Sequence, residues 1–142
     1  MKKNSPSSGF TLLELMVIVC IFSILATIAL PKLANAVQRA KEGTAKGNLG
    51  AIRGALAIYQ ADTEGRFPPD LATLTAGSRY LSEIPKAKGV ADHLDSESVA
   101  LGVAPTDAGG WTYNNVPSHN MYGHASINCT HADVNGRVWS AQ

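Results

Sequence analysis

The sequence predicts an α+β fold: a long N-terminal helix, half membrane-spanning and half amphipathic, packed on a small antiparallel sheet. Three observations predict it. Residues 10–30 form an apolar run whose only charge is Glu14, and about 20 such residues cross a bilayer as a helix. Beyond that run Leu49, Ile52, Leu56 and Tyr59 recur at i, i+3, i+7 and i+10, which is one face of a helix. The C-terminal third then changes period, and "GGWTYNN", "YGHASINC" and "RVWSAQ" read as short strands.

The 142 residues suffice for one anchor and one domain. A net charge of +1 gives no global signal for nucleic acid. Charged residues make up 16% of the chain, against about 25% for a typical soluble protein, and the N-terminal run supplies much of that deficit. Cys20 lies inside the apolar run and Cys129 near the C-terminus, so no internal disulfide is expected. Cys129 is expected as a small buried core residue.

The N-terminus admits more than one reading. Lys2 and Lys3 precede a polar "NSPSSG" and then the apolar run. A secretory signal peptide would have this basic start, and Ala34 and Ala36 offer an A-x-A site. The run is longer than the usual signal core of about 7–15 residues, and it contains a carboxylate. A plain uncleaved anchor is the second reading. Lys2 and Lys3 flank one side of it and Lys32, Arg39, Lys41 and Lys46 the other, which leaves its orientation open. Neither reading gives Glu14 a purpose, although a charge near the bilayer centre costs at least about 2.5–3.5 kcal/mol.

The stretch "KKNSPSSG" followed by "FTLLELMVIV" closely resembles the leader and helix start of the type IV pilin and type II secretion pseudopilin family. The resemblance covers a short basic leader ending in Gly9, then Phe10, then Thr11, Leu12, Leu13 and Glu14 opening the run, with Pro31 where many members carry a helix-bending proline. It implies cleavage between Gly9 and Phe10 by a prepilin peptidase on the cytoplasmic side, and N-methylation of Phe10. It also implies an inner-membrane assembly platform and a helical filament of identical and related subunits. In such a filament the Glu14 carboxylate of an incoming subunit would meet the Phe10 amine of a neighbour. An unpaired charge in a dry environment is strongly unfavourable and a pair much less so, so the pair would report axial register.

The resemblance implies a division into a 1–9 leader, a 10–30 membrane and filament-core helix, a 31–62 amphipathic half and a 63–142 head outside the cytoplasm. The helix is expected to run to about residue 62, roughly 80 Å. Pro31 removes the hydrogen bond to the Thr27 carbonyl and bends or loosens it. Gly43, Gly47, Gly50 and Gly54 each cost up to about 1 kcal/mol relative to alanine. Their small-xxx-small spacing permits close backbone approach, either by neighbouring subunits or by the chain's own sheet, and a segment that can stretch is the further reading.

In the head, "EGRFPPDLATL" reads as a loop entering a short helical turn, because Pro68 and Pro69 bar a helix interior. Residues 86–109 read as a variable loop. Asn135-Gly136 is a turn signal between the last two strands. Trp111, Tyr113, Ile127 and Trp139 are expected in the core and in packing between subunits rather than in a binding cage.

An anchored periplasmic enzyme or metal-binding protein is a reading of a different class. His93, His119, His124 and His131 are its candidate ligands, with Cys129, Asp133 and Asn135 nearby. No two histidines have H-x-x-x-H spacing and the cysteines have no C-x-x-C spacing, so no metal is expected. Residues 133–136 hold only a fragment of an EF-hand loop. Major pseudopilins bind calcium in a C-terminal loop, but their run of aspartates is missing here and that site is not carried over. No nucleophile motif or phosphate-binding loop is recognisable, so neither catalysis nor a cofactor is expected. The resemblance therefore implies a structural subunit, found in the inner membrane before assembly and then in an extracellular pilus. The alternatives are a periplasmic secretion pseudopilus and, outside the family, a membrane-anchored periplasmic binding protein.

Overall fold

The structure is a computed structural model that describes residues 10–142. A single helix, α1, spans Leu12–Asp62 with Pro31 inside it. Its start is fixed by a capping box. The Thr11 hydroxyl accepts from the Glu14 backbone N–H at 3.2 Å, and the Glu14 carboxylate accepts from the Thr11 N–H at 3.1 Å. The helix stops where Glu64 takes a left-handed backbone (φ 57°), and the Thr63 hydroxyl satisfies the Tyr59 carbonyl at 2.7 Å.

The chain forms two compact units, one ending at Val37 and one spanning Gln38–Gln142. In the first, the apolar side chains of α1 are exposed, from Leu12 at 77% to Leu30 at 64%. Polar groups inside this stretch are satisfied locally. Ser23 and Thr27 donate to the carbonyls of Val19 and Ser23, four residues earlier in each case.

In the second unit, Ala45, Leu49, Ile52 and Leu56 are buried against Trp111, Tyr113, Ala125 and Ile127. This is the face expected from the 3.6-residue period, with Tyr59 half-buried at its end. Three strands form the sheet: β1 Val99–Leu101, β2 Trp111–Tyr113 and β3 Ala125–Ile127, in the order β1-β2-β3. The α+β arrangement is as expected, but the sheet is mixed rather than antiparallel. β1 runs parallel to β2, with Val99 opposite Trp111, and β2 runs antiparallel to β3, with Trp111 opposite Ile127.

Two expected elements change place. The third strand comes from the segment expected as a variable loop, residues 86–109. The segment "RVWSAQ" is instead a 3-10 turn at Trp139–Ala141. Its only sheet-like pairing among the described residues is a bridge between Ala132 and Val138. The Trp139 and Ser140 N–H groups donate to the carbonyls of His131 and Cys129, which folds Trp139 into the core instead of extending the chain. The Asn135-Gly136 turn does form, with Gly136 at φ 78°, and it joins these bridged residues.

"DLATL" begins a 3-10 stretch, Leu71–Ser78, capped by Asp70 Oδ1 accepting from the Thr73 N–H at 2.9 Å. Trp111 and Tyr113 lock the sheet to the loops: Trp111 Nε1 donates to the Pro85 carbonyl and the Tyr113 hydroxyl to the Pro68 carbonyl, each at 2.7 Å. Trp111, Tyr113, Ile127 and Trp139 are fully buried within the subunit. They are core residues, and no surface of theirs remains for contacts between subunits.

Candidate functional site

The assembly residues named from the sequence fall in the first unit. Gly9 lies outside the described residues. Phe10 is 73% exposed and precedes the helix. Glu14 is exposed on the first turn, and its Oε2 accepts from both the N–H and the hydroxyl of Thr11, at 3.1 and 2.9 Å. Oε1 carries no hydrogen bond among the described residues, so one carboxylate oxygen stays open to a donor from outside the subunit. Pro31 lies inside α1 without ending it.

The glycines resolve an alternative that the sequence leaves open. Gly43, Gly47, Gly50 and Gly54 are exposed, and a Cβ built on any of them meets nothing within 4 Å. At about 100° per residue they form a stripe roughly half a turn from the buried Ala45, Leu49, Ile52 and Leu56. They therefore do not serve packing of the helix on its own sheet.

Behind this stripe the helix is tied to the C-terminal segment by polar contacts. The buried Asp133 carboxylate accepts from Lys46 Nζ at 2.5 Å and from the N–H groups of Asn135 and Arg137 at 2.9 Å. These donors, Lys46 first, hold its pKa well below the usual carboxylate range. Glu42, also buried, accepts from the Val134 N–H at 3.2 Å. Arg53 donates to the carbonyls of Ala125 and Gln142. A surface groove of about 560 Å³ runs past Lys46, Arg53 and Arg137. These cations are already engaged with Asp133 or with main-chain carbonyls.

Of the ligands weighed from the sequence, the fold gathers His93, Cys129 and His131 and adds Asp107, whose role no local pattern marked. Their donor atoms all lie within 4.8 Å of one another. His119 and His124 are engaged elsewhere, His119 with Asn114 and His124 beside Arg53. Burial and then the Arg53 charge push His124 below its ordinary value. Asp133 belongs to the Lys46 contact. Burial pushes the Cys129 thiol up, and the Thr130 N–H holds Asp107 down.

This architecture, an exposed apolar helix opening on a capping-box carboxylate and continued into a small α+β head, defines a membrane-anchored subunit class. The prokaryotic N-terminal methylation motif matches residues 4–30. The chain is 46% identical over 60 residues to type II secretion system core protein G of Pseudomonas aeruginosa, a match covering 42% of each chain. It is 35% identical over 101 residues to fimbrial protein EcpC of Eikenella corrodens, covering 68% of this chain and 65% of that one. It is 47% identical over 49 residues to type IV major pilin protein PilA of Myxococcus xanthus, covering 34% of this chain and 22% of that one. The chain is therefore similar to type IV pilins and type II secretion pseudopilins, and it spans between 22% and 65% of the length of these relatives. No solved structure matches it.

Proposed function

We propose that this chain is a structural, non-enzymatic subunit of a type IV pilus-like filament. It is made as a prepilin, cut after Gly9 by a prepilin peptidase, N-methylated at Phe10 and held in the inner membrane by residues 10–30. An inner-membrane platform then polymerises it into an extracellular filament that serves adhesion or motility.

The observation that carries this reading is the state of α1. Its first half exposes a continuous apolar surface with one carboxylate, and its second half turns a glycine stripe away from the subunit's own core. Membrane lipid covers the first surface before assembly, and neighbouring helices cover it afterwards. The open Oε1 of Glu14 then receives the Phe10 amine of a neighbour, while Oε2 keeps the capping box. Both charges would otherwise be unpaired in a dry core. Pro31 frees the Thr27 carbonyl and gives the helix a point at which to bend as neighbours pack.

A second reading, a type II secretion pseudopilin acting as a periplasmic piston, is favoured by the similarity to core protein G. Electron microscopy of filaments sheared from the cell surface separates the two. Surface filaments containing this chain support the pilus. Filaments confined to the periplasm, together with loss of a secreted hydrolase when the gene is deleted, support the piston.

A further inference from the structure

We propose that His93, Asp107, Cys129 and His131 form a zinc site that clamps the segments flanking β1 to the C-terminal segment of the head. Asp107 Oδ1 lies 3.4 Å from His93 Nε2 and 3.4 Å from His131 Nδ1, and Cys129 Sγ lies 3.4 Å from that same His131 nitrogen. The two nitrogen–carboxylate separations are too long or too poorly directed for hydrogen bonds. They match the edge of a tetrahedron with bonds of about 2.0–2.1 Å, the usual Zn–N and Zn–O lengths, which is about 3.4 Å.

His93 Nε2, which stands 3.4 Å from Asp107 Oδ1, points the same way. It is a buried ring nitrogen with no hydrogen-bond partner among the described residues, and a buried polar atom of that kind is costly unless something binds it. It faces the other three donors.

The surroundings hold these groups in place. Asn128, 1% exposed, uses Oδ1 to accept from the N–H groups of Thr106 and Asp107 at 2.7 and 3.2 Å. This fixes Asp107 in a left-handed backbone, φ 60°, a conformation that costs energy and clusters at functional sites. Gly109, at φ 77°, stands so close to His93 that an added Cβ would reach 3.0 Å from the His93 Cβ. A larger residue there would displace the imidazole. His131 is half-exposed and leaves a route for a metal ion.

The donor set selects the ion. One thiolate, two imidazoles and one carboxylate suit Zn²⁺ and disfavour Ca²⁺ and Mg²⁺, which take oxygen ligands. Four protein donors fill a tetrahedron, so the site is structural, with no open position for substrate. On binding, Cys129 loses its thiol proton to solvent as the Zn–S bond forms. The ion then links two segments that no disulfide joins, since Cys129 is a free thiol.

The test uses the full mature chain purified in detergent. Wild type should retain one equivalent of zinc by mass spectrometry of the metal. Co²⁺ exchanged into the site should give tetrahedral ligand-field bands and a thiolate-to-cobalt charge-transfer band. Cys129→Ser should abolish the charge-transfer band. His93→Ala should weaken Co²⁺ binding at least about tenfold. His131→Gln changes a half-exposed side chain, so the head should still fold, and it should weaken binding comparably. Zn²⁺ should raise the melting temperature of wild type and not of these variants, and Ca²⁺ should leave wild type unchanged. Absence of the charge-transfer band in wild type, or Co²⁺ affinity unchanged in folded His131→Gln, would overturn the site.

Discussion

Along α1, residues 12–30 and residues 42–59 share one backbone and use their side chains in opposite ways. The first stretch leaves Leu13, Met16, Phe22 and Leu25 more than half exposed, and its single charge satisfies its own helix N-terminus. The second buries Ala45, Leu49 and Ile52 almost completely, along with the charged Glu42, and turns its glycines outward. Apolar area removed from water contributes roughly 25 cal/mol per Å². The head has already realised that gain within the subunit, whereas the first stretch realises it only in lipid or against other helices. A substitution in the first stretch should therefore change maturation and assembly, and one in the second should change folding.

The largest effects test the first stretch. Glu14→Gln keeps size and much of the hydrogen bonding to Thr11 but removes the charge. Insertion and cleavage should persist, while sheared filament falls to a small fraction of wild type. Each contact would then leave a neighbour's amine unpaired, a loss on the order of a few kcal/mol. Normal filament yield from cleaved protein would remove the pairing argument. Gly9→Val should leave full-length precursor in the membrane, because a side chain there keeps the peptidase from the backbone. A mature start at Val37, read by mass spectrometry, would show a signal peptide instead.

In the second stretch, Ile52→Ala should lower the stability of the head by about 2–5 kcal/mol. Ile52 is fully buried in the core, and denaturant melts of detergent-solubilised protein would read the loss. Unchanged stability would mean that the helix does not hold the head together.

How much of this was legible in the sequence follows from how local each signal is. The apolar run, the face Leu49–Ile52–Leu56 and the Asn135–Gly136 turn each depend on residues within a turn or two of one another, and each appears as expected. β1 was missed because Val99-Ala100-Leu101 has no alternation, and a parallel partner 12 positions on (Val99 opposite Trp111) needs no tight turn to announce it. "RVWSAQ" misled because alternation in so short a segment cannot distinguish a strand from a 3-10 turn with Trp139 buried. Asp107 was illegible for a similar reason. Its meaning comes from His93, Cys129 and His131, gathered from a loop and a strand end that only the tertiary fold brings together.

A pH series sharpens the comparison within the head. Lys46 and two backbone N–H groups hold Asp133 below its unfolded value, so its contribution is complete above that value, about pH 3.9. It is lost as the pH falls through the lower folded value. Wild-type melting temperature should therefore drop on acidification below about pH 4. Asp133→Asn should be less stable at neutral pH and lose less between neutral and acid conditions. Equal acid losses in the two proteins would show that this carboxylate does not govern the response.

The smallest effect separates the subunit from the polymer most sharply. Gly54 is exposed, and an added Cβ would meet nothing within 4 Å. In the isolated subunit Gly54→Ala should therefore stabilise α1, by up to about 1 kcal/mol through helix propensity alone. In a filament the same methyl group would stand where a neighbouring backbone approaches across the small-xxx-small stripe, so filament yield should fall while the melting temperature rises. Gly47→Ala, on the same stripe, should behave alike. Opposite signs in the two measurements would tie the stripe to packing between subunits. A rise in melting temperature with unchanged filament yield would show that no neighbour reaches these glycines, and their cost to the helix would then need another cause, such as a segment that stretches under load.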